Sequence, residues 1–303
     1  MGTSWHNYGK IYNVGHAAVD EVFDAPVVVE EKVDGSQFSF GVFDGELRCR
    51  SRGQEIHLDG PASMFDKAIE TARRLQPLLH DGWTYRGEFL QKPKHISLAY
   101  DRVPEGHVIV FDIAVAEEKY LTATEKLVEA GRLGLETVPL LFEGEINSAE
   151  EVRELLDRGS ILGGQKIEGI VIKNYQRFQP DGKVMMAKYV SDRYREVHGK
   201  TWKKGQTTSG DIIQQIGEQL CTEARWEKAI QHKRERGELE NSPRDIGPLL
   251  KEINKDVLEE CKDDIKDMLF KWAWKNLARR ITSGFPEWYK ERLLDEQFNR
   301  DVA

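Results

Sequence analysis

Two hydrophobic rhythms divide this chain of 303 residues. Up to about residue 204, short runs rich in β-branched and aromatic side chains dominate, the pattern of strands. They predict strands over residues 27–31, 38–43, 46–51, 83–90, 108–115, 167–173 and 184–190. Asp44-Gly45 between the second and third is a two-residue hairpin signal. Helical spacing intervenes at residues 62–79, 122–133 and 149–157, so this part reads as α+β with a largely antiparallel sheet. After a polar hinge at residues 203–210 the apolar positions recur at three and four, and helices are predicted over 211–236, 242–271 or beyond, and 286–298. Ser242-Pro243 and Asp245 supply an N-terminal cap signal for the second of these.

The length suits two domains, 1–204 and 205–303, because single cores seldom exceed roughly 250 residues. Charged residues make up 32% and mean hydropathy is −0.58. No apolar run approaches the roughly 20 residues that span a bilayer, so no membrane role is expected. The first ten residues lack the basic start and apolar core of a secretory signal. Cys49, Cys221 and Cys261 have no metal-ligand spacing, which fits a reducing compartment and a cytoplasmic location. His57, His95, His107 and His198 show no such spacing either.

A formal net charge of −8 disfavours a protein that coats nucleic acid. From Lys200 to the end, twenty basic and twenty acidic residues balance, so the preceding part carries the acidity. A local exception runs through residues 173–204, where nine basic residues stand against three acidic ones with aromatics interleaved. That stretch can contact phosphates. A solvated basic face with core aromatics fits it equally well.

Lys32 follows the apolar Val27-Val28-Val29 in the string Glu31-Lys32-Val33-Asp34-Gly35-Ser36. An amine held at a strand end before a tight turn can attack phosphorus once its pKa is lowered and the leaving group is neutralised by metal. The same string alone would also suit a hairpin with a solvated lysine. Downstream come Arg86-Gly87-Glu88-Phe89, Val110-Phe111-Asp112-Ile113, Glu168-Gly169-Ile170-Val171-Ile172-Lys173, and Lys188 within residues 184–190.

In this order the strings resemble the covalent nucleotidyltransferase superfamily of RNA ligases, DNA ligases and capping enzymes, most closely the ATP-dependent RNA ligases of the bacteriophage nick-sealing type. The resemblance implies a nucleotidyltransferase (ATP-grasp-like ligase) domain with mainly antiparallel sheets, followed by an all-helical C-terminal domain expected to set nucleic-acid specificity. DNA ligases and capping enzymes instead place a small β-barrel there, and glycine-punctuated alternating strands of that kind do not occur after residue 205. Gln37 stands where capping enzymes carry arginine.

The implied reaction joins a 3′-hydroxyl end to a 5′-phosphate end, with ATP and Mg2+ or Mn2+ as cofactors. Lys32 would attack the α-phosphate and carry AMP. AMP would pass to the 5′-phosphate before the 3′-hydroxyl attacks. Lys173 and Lys188 are expected to be the like charges that depress Lys32. The family places Glu168 beside the metal, with Asp34 as a second candidate ligand, and Lys173 near the phosphates. Glu31, Asp34 and Gly35 would frame the nucleotide, Arg52 would contact phosphate and ribose, with Arg50 on the same strand face as an alternative, and Glu88 would hold the ribose hydroxyls. Phe111 matches the residue stacked on adenine, although a strand phenylalanine also suits a core. Related ligases carry two lysines one residue apart where this chain has Met186-Ala187-Lys188, so the first is absent. The implied partner is RNA, or an RNA-containing nick; no membrane and no protein partner is inferred, and the implied setting is RNA repair in the cytoplasm of a bacterial host. An ATP-dependent DNA ligase and a non-catalytic nucleic-acid-binding relative remain the alternatives. His16 is expected to be structural, and Trp202, Trp272 and Trp274 to pack in a core or between domains, with stacking on a base the alternative for Trp202.

Overall fold

The computed structural model describes residues 3–60, 63–94, 98–147, 149–191 and 212–301. The expected hinge at 203–210, most of the basic stretch after Lys188, Trp202, His95 and His198 lie outside the described residues. In chain order the strands are β1 (Tyr12–Asn13), β2 (Val27–Lys32), β3 (Ser36–Phe43), β4 (Glu46–Ser51), β5 (Glu55–Ile56), β6 (Thr84–Phe89), β7 (Val108–Ala116), β8 (Lys119–Tyr120), β9 (Glu136–Thr137), β10 (Leu140–Gly144), β11 (Gly169–Phe178) and β12 (Val184–Val190). The helices are α1 (Asp66–Leu75), α2 (Ala123–Arg132), α3 (Ala149–Arg153), α4 (Ile212–Leu220), α5 (Glu223–Glu235), α6 (Ile246–Ile281) and α7 (Phe285–Asp301).

Two sheets result, both mostly antiparallel. The first runs β1-β12-β11-β2-β10, and the second β5-β4-β3-β6-β7-β8 with β9 beside β7. Strand alternation gives each sheet two chemically different faces. In β2, Val27 and Val29 join Ile170, Ile172, Met185 and Ala187 in one core, closed by a 3-10 helix at Ala17–Phe23. Val28, Glu30 and Lys32 point the other way. The second sheet buries Phe38, Phe40, Tyr85 and Phe89 against Ala68, Ile69, Ala72 and Leu75 of α1. Those helix positions, three and four apart, form the single apolar stripe that the spacing predicts.

Seven predicted strands and three predicted helical regions are present, with shifted ends. The pattern missed β1, β5, β8, β9 and β10, all of two to five residues. Such strands are too short to show a period, and pairing alone fixes them. The helix expected over 211–236 is broken after Leu220, because Thr222 accepts the Arg225 amide and starts α5 afresh. Ser242 and Asp245 cap one another's backbone as predicted, at a 3-10 turn that leads into α6. Charged pairs fasten α5 to α6: Arg225 to Asp256, Lys228 to Asp256 and Glu260 at 2.8 Å each, and Arg236 to Glu252 at 2.7 Å.

Trp272 and Trp274 are not packed in a core or between domains as expected; they are 50% and 53% exposed on the far part of α6. Two positions apart on a helix, the two rings lie on different faces and cannot share one packed stripe. Among the described residues, no helix is long and apolar enough to cross a membrane.

The pairing of β11 with β12 leaves no room at Gly169, where an added Cβ would stand 2.5 Å from the Tyr189 carbonyl oxygen. Gly169→Ala is therefore expected to lower stability by about 1–3 kcal/mol through strand displacement, read as a lower urea midpoint at unchanged slope.

Candidate active site

The two sheets face one another across a cleft of about 480 Å3, of the size that encloses one small ligand. One wall carries Lys32 and Glu30 of β2, Val171 and Lys173 of β11, and Lys188 of β12. Register explains the grouping: Lys32 lies opposite Gly169, and Val171 lies opposite both Glu30 and Lys188. The other wall carries Gln37 and Glu88, also register partners, with Phe111 and Arg52. Tyr8, Ile11 and Asn13 line one side, and Arg225, Lys228, Gln231 and Glu235 of α5 lie over the mouth.

Lys32 ends β2 with its Nζ donating to both oxygens of Glu168, at 2.9 and 2.7 Å. Burial alone would depress the amine. Glu168, Asp34 and Glu88 outweigh burial and hold Lys32 above the ordinary lysine range. The expectation that Lys173 and Lys188 depress it is thus not met in the free protein: its neighbours are carboxylates. Lys188 acts on Glu168 instead, where it and Lys32 oppose the upward push of burial and Asp34.

The turn after Lys32 is fastened from both sides. The Asp34 amide donates to the Tyr100 hydroxyl at 2.8 Å, and Asp34 Oδ2 accepts the Leu98 amide at 3.1 Å. Asp34 therefore anchors the loop. Gly35 passes so close to β6 that a Cβ would meet Glu88 Cγ and the Phe89 oxygen at 2.7 Å each. Next, Gln231 of α5 donates to Ser36 Oγ at 2.7 Å, so the helical part touches the chain four residues beyond Lys32. Arg52 is exposed at the rim, whereas Arg50 donates to Asn7 and lies over the Trp5 ring.

Deeper in, the cleft rests on a buried ionic network that joins the sheets. Glu30 receives Lys126 and Lys173, the latter at 2.6 Å. Lys173 also lies 3.0 Å from Asp112, and both lysines donate to the Phe111 carbonyl, at 2.7 and 2.9 Å. Tyr8 and Tyr175 donate to the two oxygens of Asp112. Burial works against Lys173, but Asp112 and Glu30 override it and raise the amine. Lys126 is lowered by burial and by its neighbour Lys173. Phe111 keeps its ring on the cleft, tilted against Tyr8 at 5.2 Å, with Lys173 Nζ 5.8 Å from its centre.

Glu31, expected to bind nucleotide, turns the other way, as strand alternation requires. Its carboxylate accepts Ser160 Oγ at 2.5 Å and the Ile161 amide at 3.1 Å. Burial raises it despite those bonds. Only its backbone is left to face the cleft. Sequence reasoning passed over Glu30, Lys126, Tyr8 and the α5 residues. For Glu30 the signal was present, since it alternates with Lys32; for α5 and Tyr8 no string signals a position reached only by folding. His16 is structural as expected, accepting the Ala18 amide and stacking on Tyr12.

Glu88 sits part-buried beside this charge cluster. Burial, reinforced by Glu235, Asp34 and Glu168 and only partly offset by Lys32, pushes its carboxyl up to about 8. A raised acid favours the folded state while protonated, so stability falls as pH climbs from about 4.5 towards 8 and levels off above. Glu88→Gln is expected to flatten that slope and to gain about 1–2 kcal/mol over the parent protein at pH 8.5, with little gain at pH 4.5. Thermal unfolding across the pH series checks it.

The model of the RNA ligase family matches residues 25–190, a span that includes Lys32, Arg52, Glu88, Phe111, Glu168, Lys173 and Lys188. No curated protein matches. Among solved structures, the chain is similar to the Naegleria gruberi RNA ligase with PPi, at 21% identity and a TM-score of 0.48, over 64% of this chain and 59% of that one. Variants of the same ligase align comparably. One with AMP and Mn gives 21% identity and 0.48, over 64% and 60%, and one with ATP and Mn gives 19% and 0.47, over 64% and 59%. The chain spans less than two thirds of the length of those structures. Because the family model covers more than half of its residues, the chain belongs to the RNA ligase family.

Proposed function

We propose that this chain is an ATP-dependent polynucleotide ligase that seals a 3′-hydroxyl RNA end to a 5′-phosphate through lysyl-AMP. The observation that carries the reading is Lys32 at the end of β2, aimed into a nucleotide-sized cleft by both oxygens of Glu168. In the first step the Lys32 Nζ–phosphorus bond forms and the bond from the α-phosphorus to its bridging oxygen breaks, releasing pyrophosphate. Lys32 must shed a proton before it attacks. Glu168 holds the amine in line, while Lys188 and Arg52 supply positive charge along the same cleft. Glu88 and Gln37 present polar atoms for ribose hydroxyls, and Phe111 an aromatic face for the base.

The donor set suits a hard divalent cation. Magnesium is commonly held by one or two carboxylates with phosphates and water completing its shell, and no cluster of three or more protein ligands occurs among the described residues. Bound at Glu168, such a cation would neutralise charge on the departing pyrophosphate and compete with Lys32 for the carboxylate. In the later steps AMP leaves Lys32 for the 5′-phosphate, and the 3′-hydroxyl then displaces AMP to leave a phosphodiester. The division into an adenylylating unit up to residue 204 and a helical unit that selects nucleic acid, the cytoplasmic setting and the bacteriophage-type affinity belong to this proposal, supported by the residue strings named above.

Incubation with α-labelled ATP and magnesium is expected to label the protein, and Lys32→Ala to abolish the label. Labelling that persists in that variant overturns the assignment. Because Lys32 is held cationic, the labelling rate is expected to rise close to tenfold per pH unit below the pKa of the amine, from about pH 6.5 to 8.5. Nicked duplexes with RNA or DNA at the 3′-hydroxyl side test the substrate; equal sealing of an all-DNA nick would favour a DNA ligase.

A further inference from the structure

Lys126 takes no part in the reaction outlined above, yet it reaches from α2 into the buried network at the cleft floor. It shares two acceptors with Lys173. Lys126 donates to Glu30 Oε1 and, at 2.9 Å, to the Phe111 carbonyl, while Lys173 donates to Glu30 Oε2 at 2.6 Å and to the same carbonyl at 2.7 Å. The two lysines differ in what they face. Lys173 lines the cleft, and Lys126 lies outside its lining.

An ammonium group carries three hydrogens, and Lys173 has three acceptors: Glu30, the Phe111 carbonyl and, 3.0 Å away, Asp112 Oδ2. None is left over for a ligand. To meet an anion in the cleft, Lys173 has to give up a buried acceptor, and a buried acceptor left unpaired is costly. Each acceptor that it would leave already holds a second donor. Glu30 keeps Lys126 on its other oxygen, the Phe111 carbonyl keeps Lys126 as well, and Asp112 keeps Tyr8 on Oδ2 and Tyr175 on Oδ1 at 2.8 Å. Departure of Lys173 therefore strands no member of the network. It also relieves repulsion between the two ammonium groups, since burial and then Lys173 lower Lys126 below the ordinary lysine range.

We infer that Lys126 is a positioning residue: as the resident partner of Glu30 and the Phe111 carbonyl, it lets Lys173 turn from the network to a nucleotide phosphate in the cleft. The inference rests on the nucleotide reading of the cleft and is independent of any transfer to Lys32. A phosphate oxygen offers Lys173 a charge-assisted bond in place of those it surrenders. Without Lys126, Glu30 has Lys173 alone and holds it in the resting arrangement.

Calorimetric titration with α,β-methylene-ATP, whose α-phosphorus keeps its β-substituent, measures binding without transfer to Lys32. Lys126→Met is expected to weaken binding about tenfold, and Lys173→Met by a similar factor, because both deny the phosphate that cation. Each single variant leaves Glu30 one lysine. Adding Glu30→Gln to Lys126→Met removes the charge that detains Lys173 and keeps the net charge of the network, so affinity should return to within about twofold of the parent. Lost packing alone would not be reversed in this way. Either single variant binding as the parent does overturns the inference, and so does a loss in Lys126→Met that Glu30→Gln fails to reverse. If Lys126→Met does not fold, the charge-balanced pair still decides: adding Lys173→Met to it has to cost about tenfold in affinity. A parent chain that binds no α,β-methylene-ATP overturns the nucleotide reading and this inference with it, whereas binding without ATP-derived label on Lys32 overturns only the transfer of AMP.

Discussion

Glu30 and the two lysines that share it are the constraint on which the cleft depends. Glu30 and Lys173 belong to one sheet, Asp112 and the Phe111 carbonyl to the other, and Lys126 to α2, so one cluster of charges ties three elements across the cleft floor. Buried ions cost several kcal/mol each to desolvate, and removal of one member leaves its partner uncompensated at about 3–5 kcal/mol. The cluster therefore tolerates few arrangements of its members. It fixes the spacing of the two walls while holding Phe111 with its ring outward, and so turns an energetic liability into a rigid base for the site.

Above that floor the electrostatics change character. Lys32 shares its surroundings with Glu168, Asp34 and Glu88, and its resting partner is a carboxylate. Carboxylates on several sides thus hold Lys32 as a protonated, immobilised amine in the free protein. For the attack proposed above, that proton would have to be lost through what binds, since the cleft alone favours the charged form. Glu88 shows the other side of the same crowding: burial and neighbouring carboxylates push its carboxyl up to about 8 because Lys32 offsets them only in part.

The fold class and most of the site were readable in the sequence because both follow from local order. The β-branched run Val27-Val28-Val29 announces a strand, and Asp34-Gly35 announces the turn that follows Lys32. What could not be read is what depends on pairing. β10 has no period of its own and exists because β2 offers an edge. Glu31 lines the cleft with its backbone, while alternation sends its carboxylate to Ser160, a split that nearness to Lys32 in sequence does not reveal. The charge state expected for Lys32 was wrong for a related reason: lysines nearby in the motif order were counted, but the register delivers Glu168 first and sends Lys173 to Glu30 and Asp112. The contribution of α5 was unreadable, as a glutamine 195 positions away from Ser36 carries no mark of its destination.

The two-residue strand β1 has a consequence for how this protein is made. Tyr12 and Asn13 lie beside Ala187 and Lys188, so β1 waits during synthesis for a partner strand translated about 175 residues later. Contacts of such sequence separation form slowly, because the loop between them must be closed before any bond rewards it. Until residues near 190 emerge, β12 is missing, Lys188 is absent from the wall and β1 has no neighbour. The cleft is therefore assembled after translation of its last strand, and a ligand has no finished site to engage on a partly synthesised chain.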